Sequence, residues 1–463
     1  MGGNTVDTCV ARGDCGQSGV YGTQGTTASM NIPGGRYGGT RWSDASGNLW
    51  LFGGFGYDSI GAYSDLNDLW KFNPKLGTYG EWTWMGGSST VACDEYCDHS
   101  GVYGTLGTAA ATNIPGGREN AVSWSDASGN LWLFGGFGSD STGREDYFND
   151  VWKFDPQLSE YGEWIWMGGS STMSCTIDYC GQPGVYGTLG TADATNIPGG
   201  RNNAVSWSDL SGNLWLFGGY GYNSTGTLGY LNDLWKFDPK LGTYGEWTWM
   251  GGGGSPIYGT LGTAASTNIP GGREEAVSWS DASGNFWLFG GNGLDSTGKG
   301  GYLNDLWKFD PQLGTYGEWT WMGGSSTGNQ SGVYGTLITT ASANIPGGRS
   351  EAVSWSDTSG NLWLFGGYGN DSTGTVRSLN DLWEFDPSLG SNGEWTWMGG
   401  SSTGNQSGVY GALGKTASTN IPGGRQNTVS WTDASGNFWL LGGNGFDSTG
   451  TPGYLNDLWR YQP

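Results

Sequence analysis

Residues 197–250 read IPGGRNNAVSWSDLSGNLWLFGGYGYNSTGTLGYLNDLWKFDPKLGTYGEWTWM. Four short runs of aromatic and β-branched residues stand in this stretch. They are Ala204-Val205-Ser206-Trp207, Leu214-Trp215-Leu216-Phe217, Asn232-Asp233-Leu234-Trp235-Lys236-Phe237 and Glu246-Trp247-Thr248-Trp249. Gly, Asp, Asn and Pro separate them, which is the signature of strands between turns. No stretch carries a helical period. We name the four strands a, b, c and d. A hairpin turn, Ser208-Asp209-Leu210-Ser211-Gly212-Asn213, joins a to b. Gly218-Gly219 ends b, and a longer loop with Asn223-Ser224-Thr225-Gly226 leads to c; in most copies it reads Asp-Ser-Thr-Gly.

The same order recurs along the whole chain. Ile-Pro-Gly-Gly-Arg occurs six times, with arginines at Arg36, Arg118, Arg201, Arg273, Arg349 and Arg425, spaced by 82, 83, 72, 76 and 76 residues. All 28 tryptophans fall inside the scheme: six in a, six in b, six in c and ten in d. Strict repetition of so large an apolar residue marks it first as a packing device between neighbouring units. Four strands per unit, repeated around a circle, is the propeller solution to exposed sheet edges. The expected fold is therefore all-β, a six-bladed β-propeller of four-stranded antiparallel blades. The blades span roughly 32–85, 114–167, 197–250, 269–322, 345–398 and 421–463, and residues 1–31 form a d-to-a loop.

The Gly-Gly after b, the Trp of c and the Trp of d resemble the kelch motif. The resemblance covers essentially the whole chain and is closest to Gly- and Trp-rich bacterial extracellular kelch proteins. The units depart from that family by their length, since kelch repeats run about 50 residues; the surplus lies in the d-to-a and b-to-c loops. The chain has six a, b and c strands but five d strands, so the sixth blade lacks its outer strand. Kelch propellers often close a blade with a strand from the other terminus. Met1-Gly2-Gly3 aligns with Met85-Gly86-Gly87, just after a d strand. The resemblance thus implies a Glu-Trp-Thr-Trp-like strand before Met1, behind a signal peptide. The alternative is a true start at Met1 and a three-stranded blade, its edge blunted by Pro463 and otherwise open to self-association.

Composition narrows the function. Among 463 residues there are 92 Gly, 28 Trp and 23 Tyr, so neither collagen nor a disordered chain fits. The net charge of −23 repels phosphate backbones, which argues against nucleic acid and for neutral or cationic partners. No apolar run is long enough to span a membrane. The N-terminus carries no visible signal peptide.

Strand parity puts the d-to-a and b-to-c loops on one face, and loops on a rigid scaffold are where binding resides. The residue after each arginine varies: Tyr37, Glu119, Asn202, Glu274, Ser350 and Gln426. The b-to-c segments open with flat side chains, among them Phe55, Tyr57, Tyr220, Tyr222 and Tyr368. Aromatic faces beside amides and carboxylates suit sugars; the same aromatics also serve to pack loops onto blades. A ring of six arginines is placed to hold an anion. Equally, each unit supplies one aspartate in Asn-Asp (Asp68, Asp150, Asp233, Asp305, Asp381, Asp457), which reads as repeated structural ion pairs.

The six cysteines form three local pairs in the longest d-to-a loops: Cys9 with Cys15, Cys93 with Cys97, and Cys175 with Cys180. Disulfides that pin loop insertions explain this, and they place the chain outside the cell or on its surface. Zinc needs three or four ligands, and only Cys93, Cys97 and His99 come near. The Asp-Ser-Thr-Gly loops offer oxygens to calcium, but not at EF-hand spacing. No cofactor is expected. The kelch family also includes galactose oxidase and a sialic-acid epimerase. A galactose-oxidase-like copper site needs histidines, and His99 is the only one here. Glu119, Glu274, Glu275 and Glu351 near the channel mouth are the one hint of catalysis, as carboxylates of a carbohydrate-active enzyme. The reading that best fits is a non-catalytic extracellular binding or adhesion module for polysaccharide or a cell-surface protein. A structural, filament or matrix component is the alternative from a third class.

Overall fold

The computed structural model describes residues 8–9, 15–90, 99–173 and 181–463. The described residues form strands and turns without a helix, and no helix is long and apolar enough to cross a membrane. In the third unit, a is Val205–Ser208, b is Leu214–Phe217, c is Leu234–Asp238 and d is Glu246–Gly251. They pair antiparallel in the order d, c, b, a. The inner strands of the six units neighbour one another in turn, and Val429–Thr432 of the sixth lies beside Thr40–Ser43 of the first. The fold is a closed, six-bladed β-propeller.

Each blade continues past the Gly-Gly pair. In the third, Tyr220–Tyr222 and Leu228–Tyr230 extend b and c, and Arg201–Asn202 pairs with the extension of b. The long b-to-c loop expected from the sequence is thus a hairpin with a tight turn. The two glycines make the break. Gly218 and Gly219 have φ of +70° and +93°, and a Cβ on Gly219 would stand 2.5 Å from the Asn202 carbonyl oxygen. The freed Gly219 N–H donates to the Arg273 carbonyl of the next blade at 2.8 Å, so the kink also stitches the blades together.

Tryptophan fills the space between blades. Val205, Trp207, Trp215 and Phe217 of the third pack on Phe286, Leu288, Trp307, Phe309 and Trp319 of the fourth. Leu49, Leu51, Trp70 and Phe72 of the first pack on Val429, Trp431, Trp439 and Leu441 of the sixth, which closes the circle without a shared sheet. The a-to-b turns follow one design. Asp209 accepts the backbone N–H groups of Ser211 and Asn213 on Oδ1, and the Asn213 amide and Trp215 indole on Oδ2.

The sixth blade has a, b and c but, among the described residues, no d strand. A short pairing of Thr8–Cys9 with Cys15–Gly16 joins its sheet instead, with Gly16 beside Tyr454 on the extension of c (Pro452–Tyr461). The backbone sets Cys9 opposite Cys15. The expected disulfides otherwise lie outside the described residues, as do Cys93, Cys97, Cys175 and Cys180.

Candidate functional site: the axial bowl

The six repeated arginines do not line the bowl, which corrects their assignment as ligand contacts. Arg36, Arg118, Arg201, Arg273, Arg349 and Arg425 are at most 2% exposed. Each forms a bidentate pair with the Asn-Asp aspartate of its own blade. Arg201 reaches Asp233 at 2.7 and 2.8 Å and also bonds the Gly199 and Gly218 carbonyls. Asp233 also receives the Trp235 indole and the Tyr186 hydroxyl from the d-to-a loop. The whole set repeats in all six blades. A buried guanidinium with four of its five N–H donors already bonded inside its own blade is a structural group rather than a ligand contact. The tyrosines Tyr21, Tyr103, Tyr186, Tyr258, Tyr334 and Tyr410 that complete the pairs escaped the sequence reading, although each sits in a repeated Tyr-Gly step.

The loops do share a face. The Ser59, Ser141, Ser296 and Ser372 N–H groups donate to the Ser89, Ser171, Ser326 and Ser402 carbonyls, so in four blades the b-to-c turn touches the d-to-a loop that follows. The turn aspartates face inward to the backbone. Asp140 accepts N–H groups of Thr142 and Arg144 on Oδ1 and of Met173 on Oδ2. That carboxylate is spent on turn geometry. Among the described residues, no group of three or more His, Cys, Asp or Glu is placed to hold a metal ion.

At the axis the chain builds a ring. The second residue after each arginine is Gly38, Asn120, Asn203, Glu275, Glu351 or Asn427, and all six have φ between +51° and +64°. The Asn120 N–H donates to the Gly38 carbonyl at 2.7 Å. Asn203 donates to Asn120, Glu275 to Asn203, Glu351 to Glu275 and Asn427 to Glu351, at 3.0–3.1 Å. Gly and Asn tolerate this left-handed conformation, whereas for Glu it is strained, and such strain gathers at functional sites. A cavity of about 160 Å³ lies on the axis, lined by these residues and by Arg41. Arg41 replaces the serine that the other a strands carry; burial pulls its guanidinium down to about 10.

Four glutamates crowd the mouth. Burial, and then repulsion from Glu275, push Glu274 up to about 7. Burial pushes Glu119 to about 7 although the Tyr37 hydroxyl donates to it, and Glu275 again adds to the rise. Glu275 and Glu351 share a hydrogen bond, and burial raises both. Two carboxyls this close cannot both ionise readily, so the pair keeps one proton between them. The Asn203 amide bridges Glu274 and Glu275 at 3.4 and 3.2 Å.

Aromatic rings stand around this centre in cross-strand rows. Glu119 lies opposite Phe137, and Phe137 opposite Tyr147; Asn202 lies opposite Tyr220, and Tyr220 opposite Tyr230. Tyr147 touches Tyr220 edge-on, with centroids 5.9 Å apart. Tyr37 stacks on Tyr454 at 5.4 Å and tilts against Phe55 at 5.7 Å, and Tyr302 meets Tyr368 at 5.8 Å. Tyr37, Phe55, Tyr220, Tyr368, Glu119, Glu274 and Gln426 keep part of their surface open. Tyr57 and Tyr222 do not: they are 4% and 5% exposed, so they are packing residues. Asn202 and Ser350 are buried as well. Tyr147, Tyr230, Tyr302 and Tyr454 on the extensions of c belong to the bowl and were missed. Their signal was an aromatic two residues before Asn-Asp, hidden because that segment reads as loop.

No protein-family model matches the chain, and no curated protein matches it. Among solved structures it is similar to that of YjhT, at 16% identity over 92% of this chain and 95% of that one, with a TM-score of 0.51. It is also similar to a fungal alcohol oxidase of the AA5 family in complex with copper, at 13% identity over 95% of this chain and 76% of that one, with a TM-score of 0.45. At such identity the first likeness speaks for the fold alone. The repeated four-stranded sheets and that neighbour fit a kelch-type propeller.

Proposed function

We propose that the chain is a non-catalytic extracellular binding module that holds a neutral, hydroxyl-rich ligand, a polysaccharide segment, in the axial bowl. The observation that carries this reading is the pairing of half-open aromatic rows with a centre of amides and protonatable carboxyls. Rings offer faces to the C–H side of a sugar, and amides and carboxyls bond its hydroxyls. Bowl residues change from blade to blade, while the buried Arg–Asp pairs beneath them do not. The hydrogen-bonded Glu275–Glu351 pair stands closer than the roughly 5–9.5 Å between carboxyls that glycoside hydrolysis uses. That favours binding over turnover at this pair.

The test is retention of the protein on immobilised polysaccharides and a glycan array, with a reducing-sugar assay alongside. A Tyr147→Ala, Tyr230→Ala double variant should lose at least about tenfold in affinity and keep an intact propeller by circular dichroism. No retention on any polysaccharide would sink the proposal, and release of reducing ends would replace it with an enzyme.

A further inference from the structure

The a strand of the first blade breaks the repeat at one position. Where it carries Arg41, the other five carry Ser123, Ser206, Ser278, Ser354 and Ser430. Arg41 is half-buried and lines the axial cavity of about 160 Å³. We propose that Arg41 makes this cavity a binding site for one small monovalent anion, a halide or a short carboxylate. The site stands whether or not the bowl takes a polysaccharide.

Serine has a structural task at this position. Its hydroxyl donates to the carbonyl of the matching residue in the preceding blade. Ser123 bonds Arg41 in this way at 2.6 Å, Ser206 bonds Ser123 at 3.2 Å, Ser278 bonds Ser206 at 3.4 Å and Ser354 bonds Ser278 at 3.3 Å. The first blade follows the sixth around the circle, so a serine at position 41 would stand next to the Ser430 carbonyl. Arg41 gives up that bond. Among the described residues, the six ion pairs are the Arg–Asp pairs within the blades. The Arg41 guanidinium joins none of them and donates no hydrogen bond to the protein. The substitution therefore costs the fold a contact and adds a charge whose donors are free.

Nothing in the cavity neutralises that charge. Gly39, Ala121, Ala204, Ala276, Ala352 and Thr428, three positions after the six buried arginines, give it a collar of small residues. The other charged side chains of the lining are Glu275 and Glu351, on the fourth and fifth blades. Burial, and then the charges of Glu274 and Glu119, act on that pair, whereas burial alone acts on Arg41. The guanidinium thus stands apart from both carboxyls. Even pulled down to about 10, it stays charged at neutral pH. A charge enclosed without a partner is costly, and a counter-ion removes the cost. A guanidinium offers its donors in a plane that suits a carboxylate or a single halide. Asn120 and Asn427, which line the same cavity, add neutral amides. The small volume and the single cation fit one ion of charge −1. The glutamates of the mouth and the net charge of −23 repel larger and multiply charged anions.

The experiment follows the chlorine NMR line of sodium chloride as the intact 463-residue chain is added. The line should broaden. Bromide and formate should reverse the broadening, and sulfate at equal ionic strength should not. Arg41→Ser installs the residue of the other five blades and should fold normally. It should weaken chloride binding at least about tenfold. Arg41→Gln keeps most of the length without the charge and should show the same loss, so a packing defect peculiar to one substitution does not decide the result. Chloride should also raise the melting temperature of the native chain more than that of either variant, because a ligand of the folded state alone stabilises it. In crystals soaked in bromide, an anomalous peak should lie within hydrogen-bonding reach of the Arg41 guanidinium. Equal broadening by the native chain and both variants overturns the proposal. So does displacement by sulfate as readily as by bromide, or a cavity without bromide in the soaked crystals.

Discussion

At the scale of single residues, charge is handled in two opposite ways. The six Arg–Asp pairs are buried, bidentate and completed by Tyr and Trp donors. Removing one partner of such a pair strands a charge in the interior. Asp233→Ala should therefore cost about 3–5 kcal/mol, read as a loss of urea stability, and a cost under about 1 kcal/mol would show that water reaches Arg201. The glutamates of the bowl behave differently. Burial raises Glu119 from 4.5 to about 7. The folded state then binds more protons than the unfolded one between those values, so this contribution is fully present below about pH 4.5 and is lost as pH rises through 7. A shift of that size is worth about 3 kcal/mol. Asp68, Asp233 and Asp457 act in reverse. Burial opposes their ionisation, but the paired guanidinium outweighs it and holds them below 3.8, so their stability is lost as pH falls past that value. The melting temperature should accordingly peak near pH 5 and fall toward pH 8. Glu119→Gln should flatten the fall, and a chain equally stable at pH 5 and pH 8 would contradict the protonated bowl.

At the scale of the element, the Gly-Gly kink decides how each blade is built. It breaks b so that its lower part packs tryptophans between blades and its upper part carries the bowl. A methyl group at Gly219 meets the Asn202 carbonyl at 2.5 Å on a backbone with φ of +93°. Neither the carbonyl nor the left-handed φ yields cheaply. Gly212 in the a-to-b turn has φ of +84° but nothing within 4 Å. Gly219→Ala should thus lose more than about 3 kcal/mol, and Gly212→Ala about 1 kcal/mol, in parallel denaturant titrations. Equal losses would show that backbone strain, not the close approach, is what glycine relieves at the kink.

At the scale of the molecule, the first and sixth blades meet through side chains without a shared sheet. Every interface carries c-strand and d-strand aromatics except the one between the fifth and sixth blades. There, Val353, Trp355, Trp363 and Phe365 meet only Phe438 and Leu440 among buried residues of the sixth, with Trp459 partly covered. Local opening begins where buried apolar contact is thinnest. In the chain alone, amides of Trp459–Tyr461 should exchange faster than those of Trp383–Phe385, by native-state hydrogen exchange. Uniform protection around the ring would show that the sixth blade is no weaker than the rest.

The repeat by itself determined a great deal. Six Ile-Pro-Gly-Gly-Arg strings, four aromatic strands per unit and 28 tryptophans in register specify the blades and their number, because these depend on local period and on one apolar face per strand. The Arg–Asp pairing was also legible, since both residues repeat strictly. Which residues face the bowl was not. Tyr57 and Phe55 are two positions apart, yet one is buried and the other half-open, because the neighbouring blade covers Tyr57 with Tyr454. The axial ring and the shared proton of Glu275 and Glu351 arise only when residues 76 apart in sequence are brought within hydrogen-bonding distance by closure. Local sequence dictates the unit; only the circle sets what one unit presents to the next.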